Sequence, residues 1–194
     1  MDIRKTYFAA IAATLISSAA LAQENTVQAD TQRDVNQQQR IEQGLQSGQL
    51  STKEAGQLER QEKRVDNTQA RDLRNGSISP AEQSRLNAEQ NRVSQDISQD
   101  KHNGVTGNPQ SKSSERMQAD VQRNVNQQQR IENGEKAGQL NNRQVGRLEH
   151  GQAKVDRKEA NAAADGHVGA AGQRNIQHAE NHQSRHIRHA RKVG

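Results

Sequence analysis

Cysteine is absent from the 194 residues. That removes disulfides, thiolate metal sites and cysteine nucleophiles together. Aromatic side chains are nearly absent: Tyr7 and Phe8 are the only two, and there is no tryptophan. Small-molecule pockets are walled mainly by apolar and aromatic groups, so this scarcity argues against a deep enzyme pocket. Hydrophobic residues make up 29% of the chain and are concentrated in the first 22 positions. Such a composition leaves a largely unfolded chain with nascent helix as the alternative to a folded one. A dominant sign of charge is missing as well. Lys and Arg number 28 against 23 Asp and Glu, for a net charge of +5. The two signs are closely mixed, so self-repulsion is weak.

The N-terminus carries an address. Arg4 and Lys5 precede an apolar stretch over residues 6–20, and Ala20-Leu21-Ala22 is the small-x-small pattern cut by signal peptidase. Residues 1–22 therefore read as a secretory signal peptide, with a mature chain from Gln23 that is periplasmic or secreted. The stretch is short for an uncleaved membrane anchor, and no later segment is apolar enough to cross a bilayer.

The strongest feature is a tandem duplication. Val35-Asn36-Gln37-Gln38-Gln39-Arg40-Ile41-Glu42 recurs unchanged at 125–132, an offset of 90. At the same offset Gly48-Gln49-Leu50 matches Gly138-Gln139-Leu140, Leu58-Glu59 matches Leu148-Glu149, and Val65-Asp66 matches Val155-Asp156. A fainter period of 28 lies inside each copy, where Gly48, Leu50, Ser51 and Glu54 match Gly76, Ile78, Ser79 and Glu82. Four related units in two pairs predict small helical elements that bury their faces against neighbours.

Punctuation places the helices. Gly48 and Gly76 supply stops, Ser51 with Glu54 and Ser79 with Glu82 form capping boxes, and Pro80 suits a first helical position. The expected helices lie near 30–47, 52–74, 80–100, 120–137, 142–164 and 172–191. The fold class is all-α: two tandem three-helix hairpins or small bundles built from four degenerate EF-hand-like helix-turn-helix units. The expected divisions are helical repeat 1 at 23–101, a flexible linker rich in Gly, Asn and Ser at 102–116, and helical repeat 2 at 117–194. Leu58/Val65, Leu86/Val93 and Leu148/Val155, each seven apart, give a narrow apolar seam. The many Gln, Asn, Arg and Glu residues between are expected to face solvent.

The turns resemble EF-hands in spacing but lack the ligands. The first and third loop positions are Arg71 and Leu73, Gln43 and Leu45, Asn133 and Glu135, or Asn161 and Ala163, and the final glutamate is lost to Gln144 and Gly172. A hard cation needs several oxygen donors, so these loops are not expected to bind calcium. The candidate metal site is instead the last helix. His178, His182, His186 and His189 are spaced 4, 4 and 3, an arc of roughly 80° on one helix face. Histidines at i and i+4 share a transition-metal ion through imidazole nitrogens, which makes Zn, Cu or Ni the implied ion. The first copy has Ala88, Arg92, Asp96 and Gln99 there, so the scaffold does not require histidine.

Arg174, Arg185, Arg188, Arg191 and Lys192 surround that face and would favour anionic partners, lipopolysaccharide among them. Nucleic acid is disfavoured by the export signal and by the lack of stacking aromatics. Nothing points to catalysis: the carboxylates read as scattered over helix surfaces, and no Ser/His/Asp arrangement stands out. The segment Gln37-Gln38-Gln39-Arg40-Ile41-Glu42-x-Gly44, followed by Gly48-Gln49-Leu50 and Glu54, resembles a family of exported proteobacterial repeat proteins of no established activity. The resemblance implies export and repeat architecture and assigns no site residue. The expected function is that of an exported, non-enzymatic helical protein binding divalent transition metal through its C-terminal histidines. The alternative is a structural or interaction protein of the envelope, associating with itself or with anionic surfaces.

Overall fold

A computed structural model describes the backbone of residues 4–193 and the side chains of residues 26–193. The side chains on which the signal-peptide reading rests lie outside the described residues. Six α-helices follow one another: α1 (Arg4–Ser47), α2 (Thr52–Asp72), α3 (Pro80–Asp100), α4 (Lys112–Lys136), α5 (Asn142–Ala162) and α6 (Ala170–Ala190). There is no strand among the described residues. No described helix is long and apolar enough to cross a membrane.

The helix ends follow the local chemistry. Ser51 and Ser79 each accept from the backbone N–H of the glutamate three residues on, and Glu54 and Glu82 accept from the serine N–H in return. Asn141 and Gln144 make the same reciprocal cap for α5, with neutral side chains. Gly169 leaves α6 without any side-chain cap. Gly76 and Gly166 end the preceding segments with φ of 91° and 85°, a left-handed conformation that side-chain-bearing residues rarely adopt.

The two copies share one core. α2 runs along α5 and α1 along α4, while α3 flanks α1 and α2 and α6 flanks α4 and α5. α4 already begins at Lys112, and the chain before it folds back so that the Gly107 N–H donates to the Gly48 carbonyl at 2.8 Å. The expected seam is buried: Leu58, Val65, Leu86, Val93, Leu148 and Val155 all belong to one apolar cluster. The repeated Gln-Gln-Gln-Arg motif stitches the helices identically in each copy. Gln37 donates to the Gln90 carbonyl at 2.6 Å and Arg40 to the Ser94 carbonyl at 2.9 Å. Gln127 and Arg130 reach the Glu180 and Ser184 carbonyls at 3.2 and 3.1 Å.

Gly151 explains a departure between the copies. Gln183 stands where the first copy has the seam residue Val93. It is buried and donates to the Leu148 carbonyl at 2.8 Å. A Cβ at Gly151 would collide with its amide; the first copy has Gln61 at that place, beside the smaller Val93. The second copy exchanges a large residue for a small one across the same contact.

α2 and α5 approach through reciprocal glycines. A Cβ at Gly56 would stand 2.6 Å from the Ala163 Cβ, and one at Gly146 would stand 2.8 Å from the Leu73 Cβ. Gly56→Ala is expected to destabilise the fold by about 1–3 kcal/mol through overpacking. Gly146→Ala should act in the same direction, and denaturant unfolding of each variant against the parent checks this.

Candidate metal centre

The Leu58/Val65 seam is accompanied, one residue on, by a polar stripe. Glu59, Glu62, Asp66 and Gln69 are spaced 3, 4 and 3 along α2, which puts them on one helix face. The equivalent positions of α5 are Glu149, Gln152, Asp156 and Glu159. Because α2 lies along α5, the two stripes meet in the interior. None of the eight residues is more than 2% exposed. Asp34 on α1, 1% exposed, joins them. The expectation that the carboxylates lie scattered over helix surfaces is thus corrected: these are among the most deeply buried polar groups of the molecule. Helix packing overrides the polarity of the single residue when a polar stripe borders the apolar one.

Two groups of three carboxylates result. One oxygen each from Asp34, Asp66 and Glu149 lie within 4.8 Å of one another, and so do oxygens of Glu59, Asp156 and Glu159. The first trio draws on α1, α2 and α5, the second on α2 and α5, so both bridge the two copies. Amides hold the carboxylates in place. Gln38 donates to Glu59 and Gln128 to Glu149, each at 3.0 Å. Asn124 donates to Asp156 at 3.1 Å and to Glu159 at 2.8 Å. Gln90, itself buried, donates to Asp34 at 2.8 Å.

These donors leave oxygen atoms over. Asp34 Oδ2, Glu59 Oε1, Glu62 Oε1, Glu149 Oε1, Asp156 Oδ2 and Glu159 Oε1 are buried without a hydrogen-bond partner. The amide oxygens of Gln38, Gln128 and Gln152 are in the same position. Among the described residues, no Lys or Arg forms an ion pair with a trio carboxylate. Burial is the largest cause of raised pKa throughout. It pushes Glu59 up to about 7 against its amide donor Gln38. Glu62 is raised well above its ordinary value by burial and then by the charges of Asp34, Glu59 and Asp156. Asp66, Glu149, Asp156 and Glu159 are raised in the same way. Ionised together in a dry interior, such groups would each cost several kcal/mol. They must hold protons, or share cations.

The histidine face is differently built. His178, His182, His186 and His189 are all exposed on the outer side of α6. His182 and His186 come together, with ring centroids 4.1 Å apart and tilted by 54°. No third histidine or carboxylate closes with them, since among the described residues the two carboxylate trios are the only groups of three ligand atoms. Glu54 and Glu82, at the final EF-hand-like positions, spend their carboxylates on the serine caps.

The sequence carries a signal for this buried carboxylate cluster that residue-by-residue polarity conceals. Leu58-Glu59 and Val65-Asp66 repeat intact in the second copy, so the acidic neighbour recurs as faithfully as the apolar seam. Comparison of the chain with protein-family models, with curated proteins and with solved structures finds no match in any of the three.

Beside the second trio, whose Glu159 feels the charges of Glu180 and Asp120, that pair gives a pH test. Burial, then the Asp120 charge, raises Glu180 to about 8 despite Arg123 3.0 Å away. Burial likewise raises Asp120 to about 7. Glu180 binds its proton more tightly folded than unfolded, where it titrates near 4.5. Stability from that proton is therefore complete below the unfolded value and lost as pH rises through about 8. The first copy has Gln90 at this place. Glu180→Gln should leave Tm nearly unchanged near pH 5 and raise it above the parent near pH 9 (about two units either side of neutrality). Thermal melts across that range check it.

Proposed function

We propose that the chain is an exported, non-enzymatic helical repeat protein that binds hard metal cations in the carboxylate core between its two copies. The architecture is taken as two tandem three-helix units, each a pair of degenerate EF-hand-like turns, closed on one another. The observation that carries the reading is the orphaned oxygen set of the two trios: buried carboxylate and amide oxygens, converging from both copies, with no basic side chain to neutralise them. All the donors are oxygen. That chemistry suits Ca²⁺ or Mn²⁺ better than Zn²⁺, Cu²⁺ or Ni²⁺, which favour imidazole and thiolate. Mg²⁺ parts reluctantly with its water and suits a dry site less well. Asp34, Asp66 and Glu149 would hold one ion; Glu59, Asp156 and Glu159 would hold the other.

A second reading keeps the transition-metal site on α6, favoured by the close approach of His182 and His186. Two exposed imidazoles make a bidentate site, weaker than a closed one. Export rests on the leader pattern at 1–22. Association with anionic envelope surfaces remains the alternative role for the basic face of α6.

Thermal unfolding of chelator-treated protein separates the two sites. Ca²⁺ or Mn²⁺ at about a hundredfold its Kd should contribute about 2.7 kcal/mol, a Tm rise of about 5–10 °C for a chain of this size. Asp66→Asn combined with Asp156→Asn should abolish the rise while raising the cation-free Tm, because like charges are removed. His182→Ala with His186→Ala should leave the Ca²⁺ response intact. Absence of any shift with Ca²⁺ and Mn²⁺ in the parent would refute the core reading. A shift with Zn²⁺ alone, lost with the histidines, would establish the second.

A further inference from the structure

The end of the bundle where α2 stops and α5 starts carries a cleft of about 360 Å³. Its floor is apolar and small, made by Ala70, Leu73 and Gly146, where the missing Gly146 side chain lets the two segments approach closely. Its walls are Arg71 and Arg74 from one copy and Arg143, Arg147 and His150 from the other. No carboxylate lines it.

The four guanidinium groups are not equally engaged. Arg143 donates to the Asn75 carbonyl at 3.1 Å and lies against Gly76, whose φ of 91° turns the chain away beneath it. Arg71 donates through Nε to Asp72 at 3.1 Å, and that carboxylate also receives Arg85. Among the described residues, the side chains of Arg74 and Arg147 have no hydrogen-bond or ion-pair partner. Two guanidiniums are thus held at the walls, Arg71 with Asp72 as its counter-charge, while two have no carboxylate partner. His150 feels the concentration: burial, then Lys154 and Arg74, hold its imidazole below the usual histidine range.

Packing does not demand this arrangement. At the matching end of the bundle the equivalents of Arg71, Arg74, Arg143 and Arg147 are Asn161, Ala164, Lys53 and Gln57. The helices meet there through Gly56 and Ala163 without a guanidinium quartet. The arginines are a property of one end, not of the repeat.

We infer that this cleft binds a condensed phosphate, two or more linked phosphoryl groups, through Arg71, Arg74, Arg143 and Arg147. The planar guanidinium fork matches phosphate oxygens two at a time, and several such forks favour a chain of phosphoryl groups over a single one. The volume lies at the small end of ligand sites, suited to a di- or triphosphate. The source of the phosphate chain is open to two chemistries, an inorganic polyphosphate or a nucleoside polyphosphate. The described side chains include no Phe, Tyr or Trp for a base to stack on, so the phosphate chain supplies most of the recognition. The inference is independent of the carboxylate core and needs no metal.

Calorimetric titration of the full chain at physiological ionic strength tests it, with tripolyphosphate, orthophosphate and ATP as the probes. Tripolyphosphate should bind one to one, and orthophosphate about tenfold or more weaker, since fewer bidentate contacts form. Arg74→Gln with Arg147→Gln should weaken tripolyphosphate about tenfold or more. The charge-matched control Arg60→Gln with Arg92→Gln, exposed on α2 and α3 outside the cleft, should change it less than about twofold. Far-UV circular dichroism and Tm of both double variants confirm that each is folded. ATP binding as tightly as tripolyphosphate would identify the phosphate chain of a nucleotide as an accepted source; ATP binding more weakly would assign the cleft to inorganic polyphosphate. No heat with tripolyphosphate, or equal losses in the two double variants, would overturn the inference, the latter by showing diffuse charge attraction.

Discussion

The meeting of two acidic stripes inside the α2–α5 contact is the constraint on which the rest of the structure depends. Closing a duplicated unit on its own copy brings like against like: a stripe on one copy faces the same stripe on the other. Gly56 meets Ala163 as Gly146 meets Leu73, and Gln38 holds Glu59 as Gln128 holds Glu149. Asp66 and Asp156 are equivalent residues, and after burial the charge of Asp156 is the next cause that pushes the Asp66 carboxyl up. A carboxylate that a single copy would leave on its surface is carried into the interior by the duplication. The doubled negative charge is created by the same contact that buries it.

The copies then depart from one another where identical residues would be least tolerable. Asn124 replaces Asp34, Gln152 replaces Glu62, Glu159 stands for Gln69, and Glu180 for Gln90. Each exchange swaps a carboxylate and an amide. As a result the second trio has Asn124 as a donor to two of its members, whereas the first trio receives Gln90 on Asp34 and Gln128 on Glu149. Amides supply donors without charge, so they orient the carboxylates without neutralising them. A buried network so arranged is electrostatically unfinished. Its completion by protons or by cations differs in one respect: protons satisfy oxygens singly, whereas a cation ties several oxygens from both copies at once.

Much of this fold could be read from residue order. The glycine stops, the serine caps, the six helices and the Leu/Val seam all follow from local chemistry, and each has its counterpart in the structure. α5 shows how a cap survives substitution: Asn141 and Gln144 keep the reciprocal bonds of Ser51 and Glu54 with no charge at all. What the residue order concealed was the second stripe. Glu59 and Asp66 look solvent-bound taken one at a time, and only the partner helix decides that they are interior. Gln183 is similar. As a lone substitution of a seam valine it looks like decay, but Gly151 opposite it makes room for the amide. Both cases turn on a pair of positions far apart in sequence, which no local pattern joins.

The thin apolar seam and the acidic core have a common consequence for stability. One large apolar residue every two turns contributes modestly, because each buried aliphatic side chain supplies about 1.5–3 kcal/mol at most. Against the contribution of the buried apolar cluster, unneutralised buried carboxylates are a substantial opposing cost. The balance therefore shifts with whatever neutralises them. Ligand atoms for each trio come from both copies, so nothing bound there could remain bound if α2 and α5 separated. Any cation held by the trios would for that reason bind in a single equilibrium with closure of the two copies.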